Sequence, residues 1–353
     1  MKDAAPRLLL NAVIWVLAAI ASGAGHCGSV IGPQRLPPDR RCTAPLVNSL
    51  VTGERIAAYL KVCGEVAANH PTTLVITDVV NAGRKVSYQL SAQRPHLLST
   101  DDLTVRWLEL VPEASRLSDG VALVEFDIAS KRTTRLSEVR VGFSGLVLGT
   151  VAGGGCAMAR VRGGPDAPGS TALIMYAAGR LQLLPTERGE DVVFWDPDSD
   201  AFVLNRWPDA TARGVDCAGK SVALSEGAKS LLANRRDPLD RYLSIPATRS
   251  VVFDPIETTR GPATLFRAEA GHQGRVYEAR ADFPSAHAVA GDTSGWMAVS
   301  TGRSIEVMAP SHERHSIALA GAMGWYTQIG FLKNRPVLIA LDDARLTTFD
   351  VER

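Results

Sequence analysis

An apolar strand running into a small turn that ends on a basic residue, followed by a second strand with alternating apolar positions, recurs along this chain. Four copies are plain. Leu74–Asp78 leads through Ala82-Gly83-Arg84 to Val86–Tyr88, and Leu173–Tyr176 leads through Ala178-Gly179-Arg180 to Leu181–Leu183. Trp296–Val299 leads through Thr301-Gly302-Arg303 to Ile305–Val307, and Val337–Ala340 through Asp343-Ala344-Arg345 to Leu346. Alternation of this kind is the signature of a half-buried strand. The gaps between these turns amount to two, three and one copies of one period, which directs attention to three further places. Ser130-Lys131-Arg132, Ala218-Gly219-Lys220 and Thr258-Thr259-Arg260 stand there, each after an apolar or mixed segment. The basic positions are then 84, 132, 180, 220, 260, 303 and 345, with steps of 48, 48, 40, 40, 43 and 42. The copy at Arg260 is the weakest, because Gly261-Pro262 interrupts its second strand and proline cannot donate to a ladder.

A unit of this size cannot bury its sheet faces alone, but seven stacked radially close a ring and leave only short protected edges. The spacing, close to the roughly 40 to 50 residues of a blade, therefore predicts an all-β chain folded as a seven-bladed β-propeller. The Gly-Arg-x-apolar-x-apolar turns, with the pairs Phe126-Asp127, Trp195-Asp196 and Phe349-Asp350, resemble the WD-repeat class of propellers in the broad sense. The Gly-His half of a true WD repeat does not recur with these turns. In that architecture the basic turn is expected to join a blade's second and third strands. The chain then ends after a third strand, and Pro45–Val51 is expected to supply the missing fourth strand of the last blade, closing the ring. Ile56–Val62 becomes the innermost strand of blade one, with a helix over Glu54–Ala68 as the competing assignment. The propeller is expected over residues 55–353, after an N-terminal segment, 25–54. All seven basic residues, Arg84, Arg132, Arg180, Lys220, Arg260, Arg303 and Arg345, would lie on one face as a positive ring suited to an anionic partner. The alternative is that each pairs with a neighbouring carboxylate or carbonyl.

Residues 1–24 follow the plan of a secretory signal peptide: Lys2 and Arg7, an apolar run from Leu8 to Ala21, then Ser22, Gly23 and Ala24. An uncleaved anchor is the competing reading. Removal would leave 36 basic against 36 acidic residues, a balance without the global field that draws in nucleic acid. A periplasmic or secreted protein with no stable transmembrane span is expected. The uncharged run Val141–Ala159, rich in glycine, reads as two short strands around a turn. Five cysteines, 27, 42, 63, 156 and 217, would enter an oxidising compartment. Cys42 with Cys63 is the preferred disulfide, and buried free thiols are the alternative.

Gly214-Val-Asp-Cys-Ala-Gly-Lys-Ser221 matches the phosphate-cradling pattern of nucleotide-binding loops. That pattern works only between a buried strand and a helix N-terminus, and Arg206–Arg213 is no buried strand. Asp196-Pro-Asp198-Ser-Asp200 places carboxylates at alternate positions but lacks the glycine and distal Glu of a calcium loop. His312 and His315 lack an identifiable third ligand, so no metal or cofactor is expected. The composition offers no recognisable catalytic set. The expected function is a non-catalytic binding or assembly module in the cell envelope, its partner a protein or an anionic envelope component. A propeller hydrolase acting on a glycan or lactone, and a nucleotide-binding protein using residues 214–221, are the alternatives.

Overall fold

The computed structural model describes residues 46–351 except 63–71, 82–83, 91–94, 112–119, 144, 164–166, 168, 188, 207–210, 238–239, 256–261, 272–273, 303, 319–327 and 343–344. Among the described residues twenty-seven strands form seven antiparallel sheets. Blade one holds β1 (Leu46–Thr52), β2 (Ile56–Val62), β3 (Thr72–Asp78) and β4 (Arg84–Leu90). Blade two holds β5 (His96–Thr100), β6 (Thr104–Val111), β7 (Gly120–Asp127) and β8 (Arg132–Arg140). Blade three holds β9 (Gly145–Ala152), β10 (Cys156–Gly163), β11 (Thr171–Ala177) and β12 (Arg180–Leu184). Blade four holds β13 (Glu190–Asp196), β14 (Ala201–Arg206), β15 (Thr211–Asp216) and the two-residue β16 (Ser221–Val222). Blade five holds β17 (Arg241–Ile245), β18 (Ser250–Asp254), β19 (Ala263–Gly271) and β20 (Gly274–Phe283). Blade six holds β21 (Ala288–Gly291), β22 (Met297–Ser300), β23 (Ser304–Met308) and β24 (Arg314–Ala318). Blade seven holds β25 (Gln328–Phe331), β26 (Val337–Asp342) and β27 (Arg345–Asp350), three strands among the described residues.

The core is divided among the interfaces between blades. Alternation sends successive side chains of one strand to opposite sheet faces, so each blade feeds two interfaces. Trp107, with Ile76 and Phe126, packs between blades one and two, whereas its neighbour Leu108 joins Val121 and Ile174 between blades two and three. Five more clusters fill the remaining gaps, the last of them joining Tyr59 and Val75 of blade one to Ile339, Leu341 and Leu346 of blade seven. First and last blades thus pack on each other, and the seven-bladed ring closes. The run Val141–Ala159 falls on two strands around a glycine turn, β9 and the start of β10.

The N-terminal strand takes a different place from the expected one. Leu46–Thr52 pairs with Ile56–Val62, with Leu50 opposite Tyr59 and Val51 opposite Ala58, and so forms blade one's inner strand rather than blade seven's outer one. Only three residues separate β1 from β2, and a connection that short folds the chain back as an antiparallel hairpin. The ring still closes at this strand, through side-chain and loop contacts rather than a shared sheet. The Thr52 hydroxyl donates to the Phe331 carbonyl at 2.6 Å, the Lys333 amide to the Gly53 carbonyl at 2.8 Å, and the Asn334 side-chain amide to Glu54 at 3.1 Å.

One connection breaks the pattern. After the short β16 the chain forms helix α1 (Glu226–Leu232), started by the Ser225 hydroxyl accepting the Ala228 amide at 3.0 Å. Its buried Ala228 and Leu231 pack with Phe194, Tyr242 and Val251, between blades four and five.

Candidate functional site

Antiparallel strands reverse direction at every turn. In each blade the turns joining first to second and third to fourth strands therefore lie at one rim of the disc, the lower rim, and the turns joining second to third lie at the upper rim. Arg84, Arg132 and Arg180 open the fourth strands β4, β8 and β12, and Lys220 directly precedes β16. These four belong to the lower rim. Arg345 opens a third strand, β27, and so belongs to the upper rim. Arg260 and Arg303 fall in sequence between second and third strands and lie outside the described residues, as do the side chains of Arg84 and Arg345. The single seven-membered ring is thereby corrected: four members lie on the lower rim of blades one to four, and Arg345 lies on the opposite rim. Arg132, Arg180 and Lys220 are exposed, and no ion pair holds them among the described residues.

The turns themselves explain the repeat. Ala178 and Gly179 sit at φ of 49° and 75° between β11 and β12, the two-residue turn whose twist matches a hairpin. Gly219 and Gly302 occupy the same left-handed region at 77° and 85°, and Lys131 holds it at 60° before Arg132. A residue at positive φ before the basic one is thus the backbone requirement, which glycine meets without strain.

Residues 214–221 lie within the hairpin of β15 and β16, with Val215 opposite Ser221. The Asp216 carboxylate accepts the amides of Ala218 and Lys220 at 2.9 and 2.8 Å, so those amides point into the turn. A phosphate cradle needs them free at a helix N-terminus, which overturns the nucleotide-loop reading. The alternating carboxylates after Trp195 also form a turn, between β13 and β14. Asp196 is fully buried and accepts from Ser199, Ser225 and the Tyr277 hydroxyl, the last at 3.1 Å. Burial and this carboxylate push the Tyr277 phenol far above its ordinary range. His312 lies in the turn before β24, and His315, on β24, is 3.6 Å from Glu313.

The densest polar cluster sits toward the upper rim where blades three and four meet. Arg160 of β10 is paired with Asp191 of β13, and Arg213 of β15 with Glu190 at 2.7 Å. Arg235, delivered by the segment after α1, donates to the Asn205 side chain at 2.7 Å. Asn205 is opposite Asp191 in the ladder. Each cationic head here is held by an acceptor of the fold. Nearby on the inner strands, the His96 ring is 3.3 Å from the Thr150 hydroxyl, and burial lowers its pKa. A groove of about 970 Å³ lies between blades six and seven, bordered by Trp296, His315 and Phe349.

One feature escaped the sequence reading. Cys156, at the start of β10, is bonded to Cys217, just after β15, across the interface of blades three and four. Cys42 and Cys63 lie outside the described residues. Both bonded cysteines adjoin lower-rim turns of successive blades, a signal that becomes readable only once the blade phase is known.

Among the described residues no helix is long and apolar enough to cross a membrane, and no group of three or more His, Cys, Asp or Glu side chains is arranged to hold a metal ion. No protein-family model matches the chain, and no curated protein matches it. Solved structures do. The β-propeller domain of the Trilobed protease from Pyrococcus furiosus, described as having an open velcro topology, is 10% identical with a TM-score of 0.51, covering 88% of this chain and 94% of that one. An oligogalacturonate lyase in complex with manganese is 11% identical with a TM-score of 0.54, covering 86% and 88%. The β-propeller domain of Myceliophteria thermophila Cps50 (Swd1) is 11% identical with a TM-score of 0.51, covering 86% and 96%. Similarity at this identity is similarity of fold, and the chain is a seven-bladed β-propeller.

Proposed function

We propose that the chain is an exported, non-catalytic binding module of the cell envelope, and that its partner is a protein presenting an acidic face to the lower rim of blades one to four. The observation that carries this reading is the arc of exposed Arg132, Arg180 and Lys220 on three successive blades, none engaged in an ion pair among the described residues. Exposed charges cost the fold little, and an array of one sign on a rigid scaffold steers and orients an oppositely charged partner. The cations toward the upper rim, by contrast, are occupied with Asp191, Glu190 and Asn205. Export is supported by the signal-like N-terminus and by the Cys156–Cys217 disulfide, a bond that persists in oxidising compartments.

The test is crosslinking capture from an envelope fraction with the wild-type chain and with R132E/R180E/K220E. The reading expects export with loss of the leader, and a protein partner captured by the wild type and lost in the triple variant while the circular dichroism spectrum is unchanged. Capture that survives charge reversal, or binding to anionic lipid vesicles in place of a protein, overturns it.

A further inference from the structure

The seam between blades one and seven holds polar groups that have no partner among the described residues. Register and alternation place three rows on the face of blade one turned toward blade seven. Ala57, Tyr59 and Lys61 come from β2, Thr77, Val75 and Thr73 from β3, and Lys85, Ser87 and Gln89 from β4. The packing of Ala57, Tyr59 and Val75 on Leu332, Ile339 and Leu341 identifies this as the facing side. Tyr59 is fully buried, Thr77 is 1% exposed and Lys61 is 8% exposed. The Tyr59 hydroxyl and Thr77 Oγ1 are buried with no hydrogen-bond partner among the described residues. Lys85 reaches inward across the rows, its Nζ 5.8 Å from the centroid of the Tyr59 ring. No ion pair holds Lys61 or Lys85 among the described residues.

Such an arrangement is costly without a counter-charge. Buried hydroxyls without partners lose the hydrogen bonds that water gave them, and ammonium groups drawn even partly out of water without counter-charge lose more. The repulsion is legible in the amine of Lys85, which burial and then the charge of Lys61 pull down to about 8.

We propose that this seam is a binding site for a small doubly charged oxyanion of the phosphate type, held by the ammonium groups of Lys61 and Lys85 and by the hydroxyls of Tyr59 and Thr77. Two cations on one face call for two negative charges, and a phosphate supplies acceptors for four donors at once. A single carboxylate supplies half the charge. All four groups belong to blade one, on its face toward blade seven, so the bound anion neutralises charge at the seam that the chain does not connect in sequence.

Thermal unfolding measured with inorganic phosphate at constant ionic strength tests this. A ligand at a hundredfold excess over its Kd raises the Tm of a ring this size by about 4 °C. The rise is expected in the wild type and in the distant control K229M on helix α1, and is expected to vanish in K61M and K85M. Both variants should stay folded, because methionine fills the same space without an unpaired buried charge. No phosphate-dependent rise in the wild type, or an undiminished rise in K61M and K85M, overturns the proposal.

Discussion

Breaking the Cys156–Cys217 bond should destabilise the ring by an amount that its place in the chain sets. The cysteines are 61 residues apart, and closing a loop of that length in the unfolded chain is worth about 4 kcal/mol on the chain-entropy account. Unfolding entropy of about 2.1 cal/mol/K per residue over a ring of roughly 300 residues converts this to a Tm drop of about 7 °C. Packing adds little, since Cys156 lies among Met158, Trp195 and Phe202, and alanine keeps most of that contact. The assay is thermal unfolding of the wild type with and without reductant, beside C156A/C217A. Reduced wild type and the double variant should fall together, and reductant should leave the variant unmoved. Peptide mapping after alkylation should find Cys156 and Cys217 protected until reduction. Equal Tm values for oxidised and reduced wild type, or labelling of both thiols in the unreduced unfolded chain, would refute the reasoning.

Two smaller effects follow from local geometry. Gly179→Ala places a Cβ at φ of 75° with nothing within 4 Å, so it isolates backbone strain and should cost about 1 kcal/mol. Gly219→Ala, at 77°, brings that Cβ to 2.9 Å from the Gln182 amide nitrogen and should cost more in the same denaturant titration; equal, negligible costs would count against the turn assignment. Burial holds the pKa of His96 below its ordinary 6.5, so the unfolded chain takes up a proton there before the folded one does. Stability should therefore fall as pH drops below about 6.5, and His96→Gln should flatten that slope, leaving the contribution of His287, which burial and Arg241 shift the same way; an identical pH profile in the variant contradicts this.

The number of blades was legible because hairpin chemistry is local. A tight turn needs a residue at positive φ, glycine answers that need at 179, 219 and 302, and the need returns with every blade. The blade phase was not legible, for the same reason. A turn between third and fourth strands requires the same residues as one between second and third, so Ala178-Gly179-Arg180 and Thr301-Gly302-Arg303 look alike while lying at opposite rims. The slip occurs after Lys220. Residues 223–240, including α1, lengthen the connection from blade four to blade five. The third and fourth strands of blade five, β19 and β20, consequently meet at Gly271–Gly274, so position 260 of the even count falls in sequence one connection earlier, between β18 and β19. The cross-blade disulfide, the Arg160–Asp191 pair and the lysines of the seam all depend on which strands face each other, and periodicity carries no information on that.

The positions of the disulfide and the seam bear on how such a ring holds together. Successive blades are joined by the chain, so opening their interface still leaves them tethered; blades seven and one have no such tether within the propeller. Their contact rests on the cluster around Tyr59 and Ile339, with hydrogen bonds such as those from Thr52 to Phe331 and from Lys333 to Gly53. The disulfide lies almost diametrically opposite, between blades three and four. It shortens the unfolded chain but cannot hold the seam shut. The interface with no covalent support is also the one that buries Lys61 beside Lys85 and leaves the Tyr59 hydroxyl without a partner. Occupation of those blade-one groups by an anion would therefore relieve unpaired charge at the interface that strand connectivity and the disulfide leave unsupported.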